Sequence, residues 1–269
     1  MAAAPDLGDP ADLAASTDPV TTARIALACL DLTSLNDGDT AADIATLCAR
    51  AQGRFGNTAA VCVWPRFVRQ ARSLLPASVA VAAVANFPDG SSDIARAVRD
   101  TQAIVAAGGN EVDVVFPYRD FSAAAALLAA VRGACPGLRL KVILETGELA
   151  GSLQGPALMA QASRIALDAG ADFLKTSTGK TPQSASPEAA RVLLQAIAND
   201  PHARGRVGFK PSGGIRTVAD AAVYIGLTRA MLGDAAVTPA RFRIGASGLL
   251  NDIEALLSGA ARPASSSTY

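Results

Sequence analysis

From Ile25 to its end, the chain alternates short, mostly apolar runs with longer stretches of helical spacing. The runs are Ile25–Thr33, Ala59–Trp64, Val79–Ala85, Glu111–Phe116, Leu138–Glu145, Asp172–Thr176, Arg206–Lys210 and Phe242–Gly245. Brevity and near-continuous apolar character predict strands covered on both faces, as in a parallel sheet. The stretches between them, 42–54, 67–75, 93–107, 122–134, 156–169, 187–199, 218–231 and 249–257, are amphipathic and predict helices. Ser92 and Ser186-Pro187-Glu188 suit helix starts, and Gly108-Gly109 and Gly170 suit helix ends. Roughly eight such units predict an α/β fold of one kind, a closed (β/α)8 TIM barrel. A doubly wound sheet competes, weakened because no G-x-G-x-x-G follows the first run. No linker divides the 269 residues. The expectation is one barrel over 21–259, a loosely ordered leader over 1–20, and a flexible tail over 260–269 that ends in Tyr269.

Charge and residue usage exclude several function classes. Lys plus Arg and Asp plus Glu each total 24, and no basic stripe marks a nucleic-acid or anionic-membrane surface. No apolar run reaches membrane-spanning length, and residues 1–18 lack the basic and apolar parts of a signal peptide. Cys29, Cys48, Cys62 and Cys135 form no C-x-x-C pair, which points to reduced thiols and a cytoplasmic setting. His202 is the only histidine, so neither a zinc site built on several imidazoles nor a Ser-His-Asp or Cys-His arrangement is available. No metal and no cofactor are expected. The expected partners are small molecules, with a homodimer as the candidate assembly.

Lysine usage carries the chemistry. Lys141, Lys175, Lys180 and Lys210 are the only lysines, in a chain that otherwise writes arginine for positive charge. A guanidinium stays protonated in proteins, whereas an amine can lose its proton to its surroundings and attack a carbonyl. Lys175 ends the sixth run, in Ala171-Asp172-Phe173-Leu174-Lys175-Thr176-Ser177-Thr178-Gly179-Lys180, and Lys210 ends the seventh. Strand carboxyl ends face one shared site in a barrel. Alternation puts Glu111, Asp113 and Val115 on one face of the fourth run. A single Asp or Lys in such a wall reads equally well as a buried pair fixing register. Five of them, Asp31, Asp113, Lys141, Lys175 and Lys210, arriving from five strands are costly to bury without a function. Two ammonium groups held close in low dielectric lower one pKa. Lys175 then reads as a Schiff-base nucleophile, Lys210 as the cation that sets its charge state, and Asp113 as a proton shuttle.

The loops after the seventh and eighth strands are the usual phosphate site of a barrel, through backbone N–H groups at a helix start. Here they read Ser212-Gly213-Gly214-Ile215-Arg216 and Gly245-Ala246-Ser247-Gly248. Each glycine pair alone also fits an ordinary tight turn. Gly179-Lys180 adds a possible third contact. From the residues themselves, addition of the Lys175 amine to the aldehyde of a phosphorylated substrate leads. An isomerase using Asp113 or Glu145 as base, and a barrel that only binds phosphorylated sugars, stay open.

Several stretches together resemble the deoxyribose-phosphate aldolases. They are Leu30–Thr33, Asn57–Cys62, Asn86-Phe87-Pro88, Glu111–Tyr118, Lys141–Leu149, Ala171–Lys180, Gly208–Gly214 and Arg243–Ser247. The resemblance runs from about Ala28 to the last residue. It implies a class I, metal-independent aldolase that reversibly cleaves 2-deoxy-D-ribose 5-phosphate to D-glyceraldehyde 3-phosphate and acetaldehyde. It also implies Lys175 as the Schiff-base lysine, Lys210 as the second catalytic lysine and Asp113 as the proton relay. Asp31 and Thr33 fall on the contacts to sugar hydroxyls. Gly179, Lys180, Gly213, Gly214, Arg216, Gly245 and Ser247 fall on the phosphate site, with Gly248 where a second serine is common. Tyr269 resembles a terminal tyrosine that assists proton transfer at the acetaldehyde-derived carbon.

Overall fold

The computed structural model describes residues 18–259. Tyr269, most of the predicted leader and the predicted tail lie outside the described residues. Helix α1 (Pro19–Ala28) leads into strand β1 (Leu30–Thr33), followed by α2 (Ala41–Arg50), β2 (Ala60–Val63), α3 (Val68–Leu74), β3 (Ala80–Ala85) and α4 (Ile94–Ala106). Then come β4 (Glu111–Val115), α5 (Phe121–Ala134), β5 (Arg139–Ile143), the short α6 (Thr146–Ala150), α7 (Gly155–Asp168) and β6 (Phe173–Lys175). The series ends with α8 (Pro187–Asn199), β7 (Gly208–Lys210), α9 (Val218–Leu232), β8 (Ile244–Ala246) and α10 (Leu249–Ser258).

The strands form one eight-stranded sheet in the order β8-β1-β2-β3-β4-β5-β6-β7, with every pairing parallel. Two isolated parallel bridges, Phe209 to Phe242 and Ser212 to Gly245, close β7 onto β8. This is the (β/α)8 barrel that the alternation predicts.

The first predicted strand divides. Asp18 accepts hydrogen bonds from the N–H groups of Val20 and Thr21, and Pro19 occupies the first turn, so a helix starts there, inside the predicted leader. Thr22, Ala23, Ala26 and Leu27 form its buried face against the rest of the shell. The strand is only Leu30–Thr33, because Ile25–Ala28 is the last turn of that helix. An apolar run buried in both conformations carries no period to separate them. The predicted helix 42–54 likewise stops at Arg50, and Gln52–Gly53 pairs antiparallel with Gly56–Asn57 in a small ribbon.

Register decides which residues share the interior. Asp113 lies beside Lys141, Ile143 beside Lys175, and Lys175 beside Lys210. Their chain neighbours Val112, Val114, Val142, Leu174 and Phe209 are fully buried and, by alternation, turn outward to the helices. In β4 to β7 the outward apolar residues thus hold the shell, while Glu111, Asp113, Lys141, Lys175 and Lys210 bring charge to the interior.

Candidate active site

The interior of the barrel is ionic. Lys175 Nζ donates to Asp113 Oδ2 at 2.9 Å, and Lys210 Nζ donates to the same oxygen at 2.8 Å. Lys141 Nζ takes the other oxygen, Oδ1, at 2.7 Å. Behind these, Lys210 Nζ lies 2.5 Å and Lys141 Nζ 3.3 Å from Asp31 Oδ2. Glu111 Oε2 is 2.5 Å from Lys141 Nζ. Arg243 then bridges two carboxylates, donating from Nη1 to Asp31 Oδ1 at 2.6 Å and from Nη2 to Glu111 Oε1 at 2.8 Å. Every one of these side chains is at most 3% exposed.

Burial is the main force that lowers the pKa of Lys175, and the neighbouring Lys210 ammonium adds to it against the pull of Asp113. Lys210 is buried as deeply, but Asp113 and Asp31 together outweigh that burial and raise its pKa. Burial also opposes ionisation of Asp113, yet Lys141, Lys175 and Lys210 hold its carboxyl well below the usual range. One amine is therefore driven towards neutrality while its neighbour stays charged. The physical weight falls differently from the sequence reading, because burial acts on Lys175 more than Lys210 does.

Secondary structure fixes this geometry. Thr176 Oγ1 donates to Ser212 O and accepts from Ser212 N–H, locking the ends of β6 and β7 together just beyond the two lysines. Gly245 allows the close approach of β8. A Cβ there would come within 2.6 Å of Ser212 Oγ and 3.1 Å of Lys210 Cε.

At the mouth lies a cavity of about 580 Å³, lined by Thr33, Gly179, Lys180, Gly213, Gly214, Arg216, Gly245 and Ser247 among others. Gly213 has φ +84°, and a Cβ would meet Ser184 Oγ at 2.5 Å, so only glycine fits that turn. Helix α10 opens onto the cavity with Gly248 at its cap and no side-chain acceptor there; Asn251 N–H donates to Gly248 O, and the two N–H groups before it face the start of the helix, where an anion is favoured. Lys180 Nζ donates to Leu35 O at 2.7 Å, so a ligand must draw that side chain away to use it. Asp31 is set apart from Thr33, the other predicted sugar contact. It is fully buried, with both oxygens engaged by cations, whereas Thr33 reaches the cavity. Cys62 is buried beside the ionic cluster, and burial pushes its thiol pKa up. His202 lies in an exposed turn.

Two features escaped sequence reasoning. Arg243 joins Asp31 to Glu111, and its signal was a guanidinium inside the apolar run Phe242-Arg243-Ile244. Glu145 is fully buried in a left-handed conformation, φ 50°. Its Oε2 accepts the hydroxyl of Thr178 at 2.5 Å and its Oε1 that of Thr181 at 3.2 Å. It thereby holds the loop that carries Gly179 and Lys180.

Comparison with known proteins identifies the family. Residues 25–254 match the family described as DeoC/LacD family aldolase. A deoxyribose-phosphate aldolase of Agrobacterium fabrum is 46% identical over 259 residues, covering 93% of this chain and 97% of its own. A crystal structure assigned as a deoxyribose-phosphate aldolase of Coccidioides immitis superposes with TM-score 0.72 at 28% identity, covering 87% of each chain. One from Toxoplasma gondii, TM-score 0.78 at 24% identity, covers 90% of this chain and 96% of its own and shares the fold. With family, sequence and fold in agreement over nearly the whole length, the chain belongs to the DeoC/LacD aldolases.

Proposed function

We infer that this aldolase reversibly cleaves 2-deoxy-D-ribose 5-phosphate to D-glyceraldehyde 3-phosphate and acetaldehyde through an imine on Lys175. The observation that carries the reading is the pair of amines on one oxygen of Asp113. A neutral amine is needed to attack the aldehyde carbon, and burial beside a second ammonium supplies it. Attack forms a carbinolamine. Asp113 and Lys210 move the protons that convert its hydroxyl to departing water. The resulting iminium draws electrons from the C2–C3 bond as the C3 hydroxyl loses its proton, which releases glyceraldehyde 3-phosphate. The remaining enamine gains a proton at C2 and is hydrolysed to acetaldehyde. Asp113, ionised and shared by the Nζ atoms of Lys141, Lys175 and Lys210, serves as an acceptor and relay and not as a stored acid.

The phosphate is assigned to Gly179, Lys180, Gly213, Gly214, Arg216, Gly245 and Ser247, supported by their common cavity and by the uncapped start of α10. Thr33 meets a sugar hydroxyl there. Asp31 acts from behind, through Lys210. Tyr269 is assigned, from the resemblance alone, to protonation of the enamine, and its deletion should slow hydrogen exchange at the methyl carbon of acetaldehyde. The four cysteines are free and buried, which supports a reducing, cytoplasmic setting. No helix among the described residues is long and apolar enough to cross a membrane. A homodimer is the proposed assembly, to be read by sedimentation.

The deciding experiment is borohydride reduction in the presence of acetaldehyde, followed by peptide mass mapping. The adduct is expected on Lys175 and should vanish in Lys175→Arg although the charge is kept. An adduct on another lysine, or full activity in Lys175→Arg, overturns the assignment.

A further inference from the structure

The ionic cluster does not end at the reacting amine. It continues down the barrel to a second cavity, of about 880 Å³, at the opposite end, where Glu111, Arg139 and Arg243 form part of the lining. The buried, contiguous array holds four cations, Lys141, Lys175, Lys210 and Arg243, against three carboxylates, Asp31, Glu111 and Asp113. Fully ionised, it carries one unbalanced positive charge in a medium that penalises any. Of the four, Lys175 touches a single carboxylate, whereas Lys141 touches three and Lys210 and Arg243 two each. The cheapest way to remove the excess is for Lys175 to give up its proton.

We propose that Arg243 and Glu111, far from the reacting atoms, are positioning residues for the Lys175 amine, because they fix how many positive charges the barrel interior must hold. The inference rests on the assignment of Lys175 as nucleophile. The other groups around that amine are the same in every variant below, so they do not alter the differences between them. From β2 comes Cys62, whose thiol stays protonated because burial raises its pKa. Beyond β5 comes Glu145, which makes no ion pair with the array; burial raises its pKa, and its hydrogen bonds to Thr178 and Thr181 oppose that more than the charge of Lys175 does. Strand β3, Ala80–Ala85, brings no titratable side chain. Arg139 meets Glu111 from the rim, where it is 35% exposed and can return to water.

The array makes two predictions of opposite sign. Arg243→Gln removes the excess cation, yet leaves Asp31 with Lys210 and Lys141, and Glu111 with Lys141 and Arg139. Lys175 can then stay protonated, and the acid limb of the kcat/KM profile for the retro-aldol reaction moves alkaline. Glu111→Gln removes a carboxylate, and the same limb moves acid. Each shift is on the order of one pH unit, the effect of a unit charge felt across roughly 10 Å at an effective dielectric of about 20. The double variant Arg243→Gln with Glu111→Gln restores the excess of one, so its limb returns to the wild-type position. Arg243→Lys keeps the charge, and its limb should stay where it is.

All variants are measured as full chains, with circular dichroism as the check on folding and borohydride trapping on each. Limbs that stay fixed in Arg243→Gln and Glu111→Gln, or that move in the same direction, overturn the proposal. So does a double variant whose limb stays displaced. If Arg243→Gln does not fold, the acid shift of Glu111→Gln decides alone. Trapping separates the two levels of inference. Imine on Lys175 with unmoved limbs refutes only the role of Arg243 and Glu111, while absence of imine on Lys175 in the wild type refutes the assignment beneath it.

Discussion

Replacing Lys210 by Met tests the central electrostatic claim with little change of volume. The Nζ atoms of Lys175 and Lys210 meet at one carboxylate oxygen, at 2.9 and 2.8 Å, so they are at most about 6 Å apart. A unit charge at roughly 5.5 Å and an effective dielectric of about 20 is worth about 3 kcal/mol, or about two pKa units. The sign follows from which form works. The proposed reaction needs Lys175 as the free amine, a neighbouring cation disfavours its protonated form, and loss of that cation raises its pKa. The acid limb of kcat/KM should move alkaline by about two units, leaving about a hundredfold less free amine at pH values below the limb. Activity should recover in part as pH is raised past the new limb. The assay is the pH profile of the retro-aldol reaction, coupled to detection of glyceraldehyde 3-phosphate. An unshifted limb, or a loss equal at every pH, would refute electrostatic tuning and leave Lys210 with proton transfer alone.

Other consequences are more local. Glu145→Gln weakens the clasp on Thr178 and Thr181. It should raise KM for the phosphorylated substrate about tenfold, the worth of a charge-assisted hydrogen bond, while self-condensation of acetaldehyde keeps its rate. Equal loss on both substrates would refute a role confined to the phosphate loop. Gly245→Ala forces a methyl group against Ser212 and Lys210. The expected cost is about 1–3 kcal/mol of stability, read as a melting temperature several degrees lower, together with reduced turnover. Asp31, Glu111 and Asp113 all have depressed pKa values in the folded protein. Their contribution to stability is present above the ordinary carboxylate pKa of about 4 and is lost as pH falls below it. The urea midpoint should hold between about pH 5 and 8 and drop steeply under about pH 4. A midpoint unchanged at pH 3 would contradict the ion-pair array.

The barrel and its two amines were legible because each rests on a local signal. Leu174-Lys175 and Phe209-Lys210 are apolar runs ending on a lysine, and alternation in Glu111-Val112-Asp113 assigns faces without any knowledge of the partner strand. What stayed hidden is long-range or has no sequence period. Arg243 and Glu111 meet across 132 residues, so no window contains their pairing. Ile25–Ala28 belongs to a helix because Asp18 and Pro19 start one, several residues before the apolar run that dominates the pattern. Nothing in Leu144-Glu145-Thr146 announces a left-handed backbone, since glutamate has no preference for it.

The register that sets Lys175 beside Lys210 is a property of backbone hydrogen bonds between neighbouring strands. The proposed nucleophile is therefore built into the wall, whereas the groups proposed to take the phosphate belong to the rim. Loop replacement at the rim should alter which aldehyde is accepted while the imine-forming centre survives. A chain arranged this way can change its diet without relearning its chemistry.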